Sequence, residues 1–385
     1  MKKRKAKAYR VLHTPTTVGG NPQGLSNSLN KLGINSKSLT LEQNYFKYPA
    51  DHVLWSEGDG YIAKELKRLL LLVSIIFQYD VIHYNFGTTI AAPIYSIRPN
   101  DSVIVKWLKF TYCKYSWVVQ WFELNLFKLL KKPLFVTYQG NDARQGDFCV
   151  AHFEFNIAAQ VGEEYYTQKS DELKRKMISR MSRYCHSIYA LNPDLFYVLP
   201  KKTKFMPYAH VFLDEWMPHF NQLENRKLRI GHAPSNRKVK GTDIILEALE
   251  KLKKRGYEFE LVLVEGVSNA EARKTYETVD ILIDQIFAGW YGGLAVEAMA
   301  LGKPVLVYIR QDDLKYVPAE MAADLPFFQI DPKNLEEQLR TVLDLPRQEL
   351  LKIARRSRAY VERWHDPLRI ASALKSDYET ALAEM

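Results

Sequence analysis

Residues 284–308 read Asp-Gln-Ile-Phe-Ala-Gly-Trp-Tyr-Gly-Gly-Leu-Ala-Val-Glu-Ala-Met-Ala-Leu-Gly-Lys-Pro-Val-Leu-Val-Tyr. Glycines at 289, 292 and 293 predict a turn, the apolar run after them a helix of about two and a half turns, Gly302 its stop, and Pro304 the start of a buried strand. A helix that opens on glycines offers bare backbone N–H groups to an anion, and its dipole favours negative charge there. Glu297 lies about one turn inside, where its carboxylate can accept two hydroxyl hydrogen bonds from a sugar. An anion at the helix mouth with a diol beside it describes a nucleotide, and Trp290 and Tyr291 fall next to it. The plain alternative is a core helix with one paired glutamate.

Outward from this stretch the chain alternates strands and helices, the pattern of parallel sheets with crossover helices. In the second half the pattern predicts strands at 228–232, 259–264, 280–283 and 304–309, with helices at 242–255 and 270–277 and helical character after Pro332. In the first half strands are predicted at 9–13, 36–41, 80–84, 133–138, 187–191 and 203–206, with a helix at 25–32. Pro207, Pro218 and the polar Asn221-Gln222 stretch break the rhythm. The organisation expected is α/β: residues 1–207 as one Rossmann-like domain, 208–226 as linker, 227–362 as a second Rossmann-like domain, and 363–385 as a final helix.

Ligands in such sheets bind beyond the carboxyl ends of strands, so the 233–241 loop and the 284–293 turn should face one site. That loop holds Arg237, Lys238 and Lys240 before Gly241 and Thr242, which brings cations and helix N–H groups together where a diphosphate could rest. Glu265, at the end of the 259–264 strand, is counted with the donor-side residues. In the first half Gly19-Gly20 permits close backbone approach but does not match the dinucleotide fingerprint G-x-G-x-x-G, which argues against a nicotinamide enzyme. The strand end at 139–144 carries Gln139, Asp142 and Arg144. A glutamine can orient a sugar hydroxyl but cannot shuttle a proton. Asp142 and Arg144 read equally well as an internal salt bridge. His83-Tyr84-Asn85-Phe86-Gly87 is a further strand end for the acceptor side, and Asp312-Asp313 reads as a pair of solvated carboxylates rather than a metal motif.

The run Gly-Gly-Leu-Ala-Val-Glu-Ala-Met-Ala-Leu-Gly-Lys-Pro-Val at 292–305 resembles the donor-site signature of family 4 retaining glycosyltransferases (glycosyl transferases group 1), written E-x7-E followed by A-M-A-x-G-x-P-V. The resemblance implies the GT-B fold, two Rossmann-like domains facing a cleft, with the final helix crossing back to the first domain. It makes Glu297 the ribose ligand and puts the first glutamate of the pattern at Gly289, with Asp284, Gln285 or backbone around Trp290 as substitutes. Lys240-Gly241 matches the Lys-Gly of the family, whose arginine falls on Ser235, leaving Arg237 as a candidate replacement. Gly19-Gly20 matches a loop that approaches donor phosphate and acceptor. Gln139-Gly140-Asn141-Asp142 is similar to His-Gly-x-Asp, with Gln139 in the histidine place. Retention of configuration is implied in the same way.

Three widely spaced cysteines among 385 residues argue for reduced thiols rather than disulfides or zinc. The basic Met1–Lys7 start lacks an apolar segment behind it, so a cytoplasmic location is expected. The net charge of +10 asks for an anionic partner, but no nucleic-acid-binding signature appears. Residues 102–132 interleave Trp107, Phe110, Tyr115, Trp117, Trp121 and Phe122 with lysines. Such a stretch suits a helix in the headgroup region of an anionic membrane, peripheral on the inner face of the plasma membrane. It suits equally a pair of helices covering a sheet, with lysines reaching outward.

The reading is a metal-independent glycosyltransferase without a cofactor, taking a nucleotide-diphosphate sugar as donor and a glycan or lipid-linked acceptor. Its catalytic candidates are Lys240, Arg237, Gln139 and Asp142; its donor-binding candidates are Glu297, Gly292, Gly293, Tyr291, Trp290, Gly19, Gly20 and Glu265. A sugar-nucleotide epimerase on the same architecture and an inactive binding scaffold remain open.

Overall fold

The computed structural model describes residues 9–43, 47–93, 101–162, 164–218, 220 and 227–385; the basic Met1–Lys7 start and the Asn221-Gln222 part of the linker expectation lie outside them. The first half runs β1 (Arg10–Thr14), α1 (Asn21–Lys31), β2 (Asn35–Thr40), β3 (His52–Val53), α2 (Tyr61–Gln78), β4 (Val81–Asn85), α3 (Val103–Leu129), β5 (Leu134–Tyr138), α4 (Gly146–His152), α5 (Gln168–Tyr184), β6 (Ser187–Ala190) and β7 (Lys204–Phe205). The second runs β8 (Leu228–His232), α6 (Arg237–Lys240), α7 (Thr242–Lys254), β9 (Phe259–Leu263), α8 (Asn269–Thr278), β10 (Ile281–Ile283), α9 (Gly293–Ala300), β11 (Val305–Val307), α10 (Ala319–Ala323) and β12 (Phe328–Gln329). Three helices close the chain: α11 (Leu335–Leu343), α12 (Arg347–Trp364) and α13 (Pro367–Glu384).

Two all-parallel sheets result, ordered β3-β2-β1-β4-β5-β6-β7 and β12-β11-β10-β8-β9. Strand order reverses beside β1 in the first sheet and beside β8 in the second, and such reversals open a crevice at the carboxyl ends of the strands. The Gly19-Gly20 loop leaves β1, the 233–241 loop leaves β8, and the 284–292 turn leaves β10, so all three sit at these crevices.

Apolar residues of β1, β4, β5 and β6 on one face of the first sheet pack with Leu71 and Ile75 of α2 and Leu124 and Phe127 of α3. The other face meets α1 and α13, whose Leu25, Leu29, Leu374 and Tyr378 join Val81, Phe135 and Tyr189. Here α13 is tied to the sheet by polar bonds as well: Tyr378 Oη lies 2.5 Å from His83 Nδ1, and the Tyr189 hydroxyl donates to Asp377 at 2.5 Å. His83 and Tyr84, read from sequence as acceptor-side groups, are therefore core. His83 Nε2 is 2.7 Å from Thr137 Oγ1, its ring stacks on His13, and Tyr84 donates to Glu123 at 2.7 Å. Burial drives the His13 pKa down to about 3 and that of His83 well below the ordinary range, so both rings are neutral.

The segment after β7 is not a loose connector. Ala209 and Val211 are fully buried, the Ala209 N–H donates to Asn21 Oδ1 at 2.7 Å, and a Cβ on Gly24 would come within 1.9 Å of the Ala209 carbonyl. At the break between α12 and α13, His365 Nδ1 donates to the Tyr208 carbonyl at 3.0 Å, leaving Nε2 to accept from the Tyr291 hydroxyl at 2.9 Å. Burial lowers the His365 pKa to about 3, consistent with that neutral tautomer.

Candidate functional site

Gly292 is the N-cap of α9, and its N–H is already engaged by Asp284 Oδ2 at 2.8 Å. Asp284 Oδ1 receives Lys240 Nζ at 2.7 Å, and the same ammonium donates to Gln285 Oε1 at 2.8 Å. Lys240 thus stands at the mouth of the glycine turn, buried and paired, its stem held by the one-turn α6 that Asn236 caps through Val239 N–H. The Gln285 amide nitrogen donates to the Trp290 carbonyl, which fixes the turn from inside. Asp284, Gln285 and the Trp290 carbonyl, proposed from sequence as substitutes for a sugar contact, are instead the supports of Lys240 and of the turn.

Glu297 is buried one turn into α9. Its Oε1 accepts the Asn269 amide at 2.9 Å and lies 3.4 Å from His210 Nε2. His210 is the residue that sequence reading missed, because it falls in a stretch taken for linker. A Cβ on Gly20 would lie 3.1 Å from His210 Cβ and from the Tyr48 ring, and one on Gly293 would lie 3.3 Å from the His210 ring. The imidazole therefore lies between the two glycine turns, one from each sheet, where a side chain in place of either glycine would press on it. Gly19 and Gly20 also hold positive φ, +66° and +72°.

On the first-sheet side Gln139 extends toward Gly19, its Oε1 3.4 Å from where a Cβ would sit. Asp142 takes the N–H groups of Gln139 and Gly140 at 3.0 and 2.7 Å, which shapes the turn after β5. Burial raises the Asp142 pKa to about 6 against the pull of those N–H bonds. The expected Asp142–Arg144 pair does not form: Arg144 Nε donates to Asp194 at 2.7 Å, a buried pair, and geometry leaves Asp142 to the backbone. Among the described residues, Gln139 Nε2, Asn21 Nδ2, Thr17 Oγ1 and His210 Nδ1 are buried with no hydrogen-bond partner, while His210 Nε2 has only Glu297 Oε1 at 3.4 Å. Leaving buried polar groups unmade is costly, so a cluster of them at a crevice marks where a polar ligand belongs.

Three sequence assignments find a different setting in the structure. Trp290 and Tyr291 are core residues rather than donor-side groups: both are buried, and the Tyr291 hydroxyl is engaged by Tyr360 and His365 at 3.0 and 2.9 Å. Arg237 turns to Glu265 in a bidentate pair of 2.8 and 2.9 Å at the surface, so these two satisfy each other away from Lys240. Their mutual hydrogen bonds raise the pKa of Arg237 and lower that of Glu265. Asp313 is not solvated: Arg310 Nη1 donates to it at 2.7 Å and burial lifts its pKa to about 6. Gly289 holds φ +76°, and a Cβ there would lie 2.6 Å from the Arg310 guanidinium. That guanidinium stacks 3.7 Å over Phe153 and donates to the Phe155 carbonyl, joining the two halves.

No family model matches the sequence, and neither does any curated protein. Solved structures do. A sucrose-phosphate synthase from Thermosynechococcus elongatus matches at TM-score 0.58 and 13% identity, over 98% of this chain and 100% of that one. The catalytic domain of starch synthase IV from Arabidopsis thaliana, bound to ADP and acarbose, matches at 0.59 and 10%, over 98% and 100%. The MnaA–UDP co-structure from S. aureus matches at 0.52 and 10%, over 98% of each chain. With its two parallel sheets, their facing carboxyl-end loops and a final helix returning to the first sheet, the chain has the GT-B fold of these structures.

Proposed function

We propose that the protein is a glycosyltransferase that moves a sugar from a nucleotide-diphosphate donor, held between α9 and α6, to an acceptor on the first-sheet side. The observation that carries this reading is the crevice itself, where a buried Lys240 and a glycine-opened helix face unpartnered polar atoms of the opposite half. Glu297, already accepting an amide hydrogen from Asn269, would exchange part of that contact for ribose hydroxyls. Lys240 would balance the charge that grows on the departing diphosphate, a task electrostatics can perform without a metal ion or a strong base. Gln139 would position an acceptor or sugar hydroxyl, and His210 would contact whatever bridges the two glycine turns. Arg237, paired with Glu265, belongs to the rim in this scheme. Starch synthase IV, bound to ADP, and MnaA, in complex with UDP, share the fold, which supports a nucleoside diphosphate as part of the donor.

The test is release of nucleoside diphosphate from a panel of nucleotide-diphosphate sugars, with and without a pool of glycan and lipid-linked acceptors. The proposal expects acceptor-dependent release. An epimerised sugar nucleotide formed without acceptor, or no release from any donor, would overturn it.

A further inference from the structure

Helices α2 and α3 are built inside out on their solvent side. Along α2 the outward face carries Ile62, Leu66, Leu70, Val73 and Phe77, spaced to form one stripe, and Ile62 is 86% and Phe77 73% exposed. Along the 27-residue α3 the outward stripe is Ile104, Leu108, Tyr115, Val118, Phe122 and Leu129, flanked by Trp107 and Trp121. The face of α3 turned to the sheet includes polar Ser116, Gln120 and Glu123. The two helices touch where the Tyr115 hydroxyl donates to Glu65 at 2.8 Å and the Arg68 guanidinium lies 5.9 Å from the Tyr112 ring centre. Exposed large apolar side chains thus line both helices, and such clusters mark interaction surfaces.

We infer that this face docks on an anionic lipid surface. Charge selects that occupant: α3 carries Lys106, Lys109, Lys114 and Lys128, and its one acidic side chain, Glu123, is buried. Lysines are depleted from the cores of protein–protein interfaces, whereas an apolar stripe flanked by tryptophans and lysines matches a helix lying in the headgroup region. No helix among the described residues is long and apolar enough to cross a membrane, so the contact is interfacial. Glu123 accepts the Tyr84 hydroxyl with Oε1 and the Ala91 N–H with Oε2, at 2.7 and 2.9 Å, and so ties α3 to the segment that follows β4. The inference does not depend on the donor reading.

Flotation of the full chain with vesicles of phosphatidylcholine alone and of phosphatidylcholine with phosphatidylglycerol tests it. The expected result is partition roughly tenfold or more in favour of the anionic vesicles, weakened by added salt. Ile104→Asp/Val118→Asp/Phe122→Asp should abolish it, and Lys106→Gln/Lys114→Gln/Lys128→Gln should remove the preference for anionic lipid, with unchanged circular dichroism in both. Equal recovery with and without vesicles, or partition of the aspartate variant like the parent, would overturn the inference. So would a parent dimer that the aspartate variant dissociates without altering vesicle binding, which would assign the face to a second copy.

Discussion

The two sides of the crevice solve different electrostatic problems. On the second-sheet side every strong group is already matched: Lys240 on Asp284 and Gln285, Asp284 on Gly292, Glu297 on Asn269. On the first-sheet side Gln139, Asn21 and Thr17 present buried polar atoms without partners, and His210 Nε2 lies 3.4 Å from Glu297 Oε1 across the crevice. A fixed charge in a partly buried place must be paired before the ligand arrives, or it would cost several kcal/mol. A neutral amide or hydroxyl left open costs about 1–3 kcal/mol, and a ligand can recover it. If the crevice works as proposed, charge stabilisation falls to one half and orientation to the other, and substitutions on the two sides should fail in different ways.

The largest effect is expected at Lys240. Lys240→Ala should lower kcat by about 10²- to 10³-fold, and should also destabilise the fold by roughly 3–5 kcal/mol by leaving Asp284 buried and unpaired. Lys240→Met combined with Asp284→Asn should recover stability in urea titrations but not turnover. Recovery of both would mean that Lys240 serves only the fold. Next comes Gly289→Glu, which writes the family glutamate into this chain. Because Arg310 occupies the space and φ is positive, urea titration should show a loss of roughly 2–4 kcal/mol with no gain in turnover. A neutral or activating substitution would show that the Arg310 packing is not the reason for glycine there.

Acid should act on the framework that joins the two sides. His13, His83 and His365 have folded pKa values depressed below the ordinary 6.5, so the unfolded chain binds their protons first and stability falls as pH drops through 6.5. Asp142 and Asp313, raised to about 6, bind protons first in the folded state and oppose this between about 6 and 4. Roughly one proton net remains on the unfolded side, so stability should fall by about 1.4 kcal/mol per unit from pH 6.5 to 5, read from urea midpoints. A flat profile there would place these histidines nearer solvent than their partners allow. The smallest effect is expected at Gln139, on the neutral side: Gln139→Ala should cost about 1 kcal/mol in kcat/KM, one positioning hydrogen bond. Total loss of turnover in a folded variant would give that side a chemical role.

Much of the second half was legible in the sequence. Leu228–His232, Thr242–Lys254 and Phe259–Leu263 fall at or within a residue or so of their expected places, because strand and helix periods there are clean and glycines punctuate them. Two-residue β3 and β12 carry too little pattern to read. The α2 helix was not assigned, since apolar stripes on opposite faces blur the period of one face. Site residues were read less well where local chemistry misleads. Arg310-Gln-Asp-Asp looks like a solvated loop, yet the i,i+3 pair folds Arg310 and Asp313 inward. Trp290 and Tyr291 beside glycines look like a stacking platform, yet their partners Phe205, Tyr360 and His365 come from remote segments. His210 had no local signal at all; only the approach of Gly20 and Gly293 from two sheets reveals it.

Isothermal titration of the parent and of Glu297→Gln with UDP, ADP and GDP tests whether Glu297 and the α9 mouth hold a nucleoside diphosphate. At least one of them should bind the parent, and the folded variant should lose roughly 1–3 kcal/mol, because a charged acceptor of two hydroxyls has been replaced by a neutral amide. Equal affinity in parent and variant would make Glu297 a core carboxylate of the Asn269 contact and rule out its role at the donor.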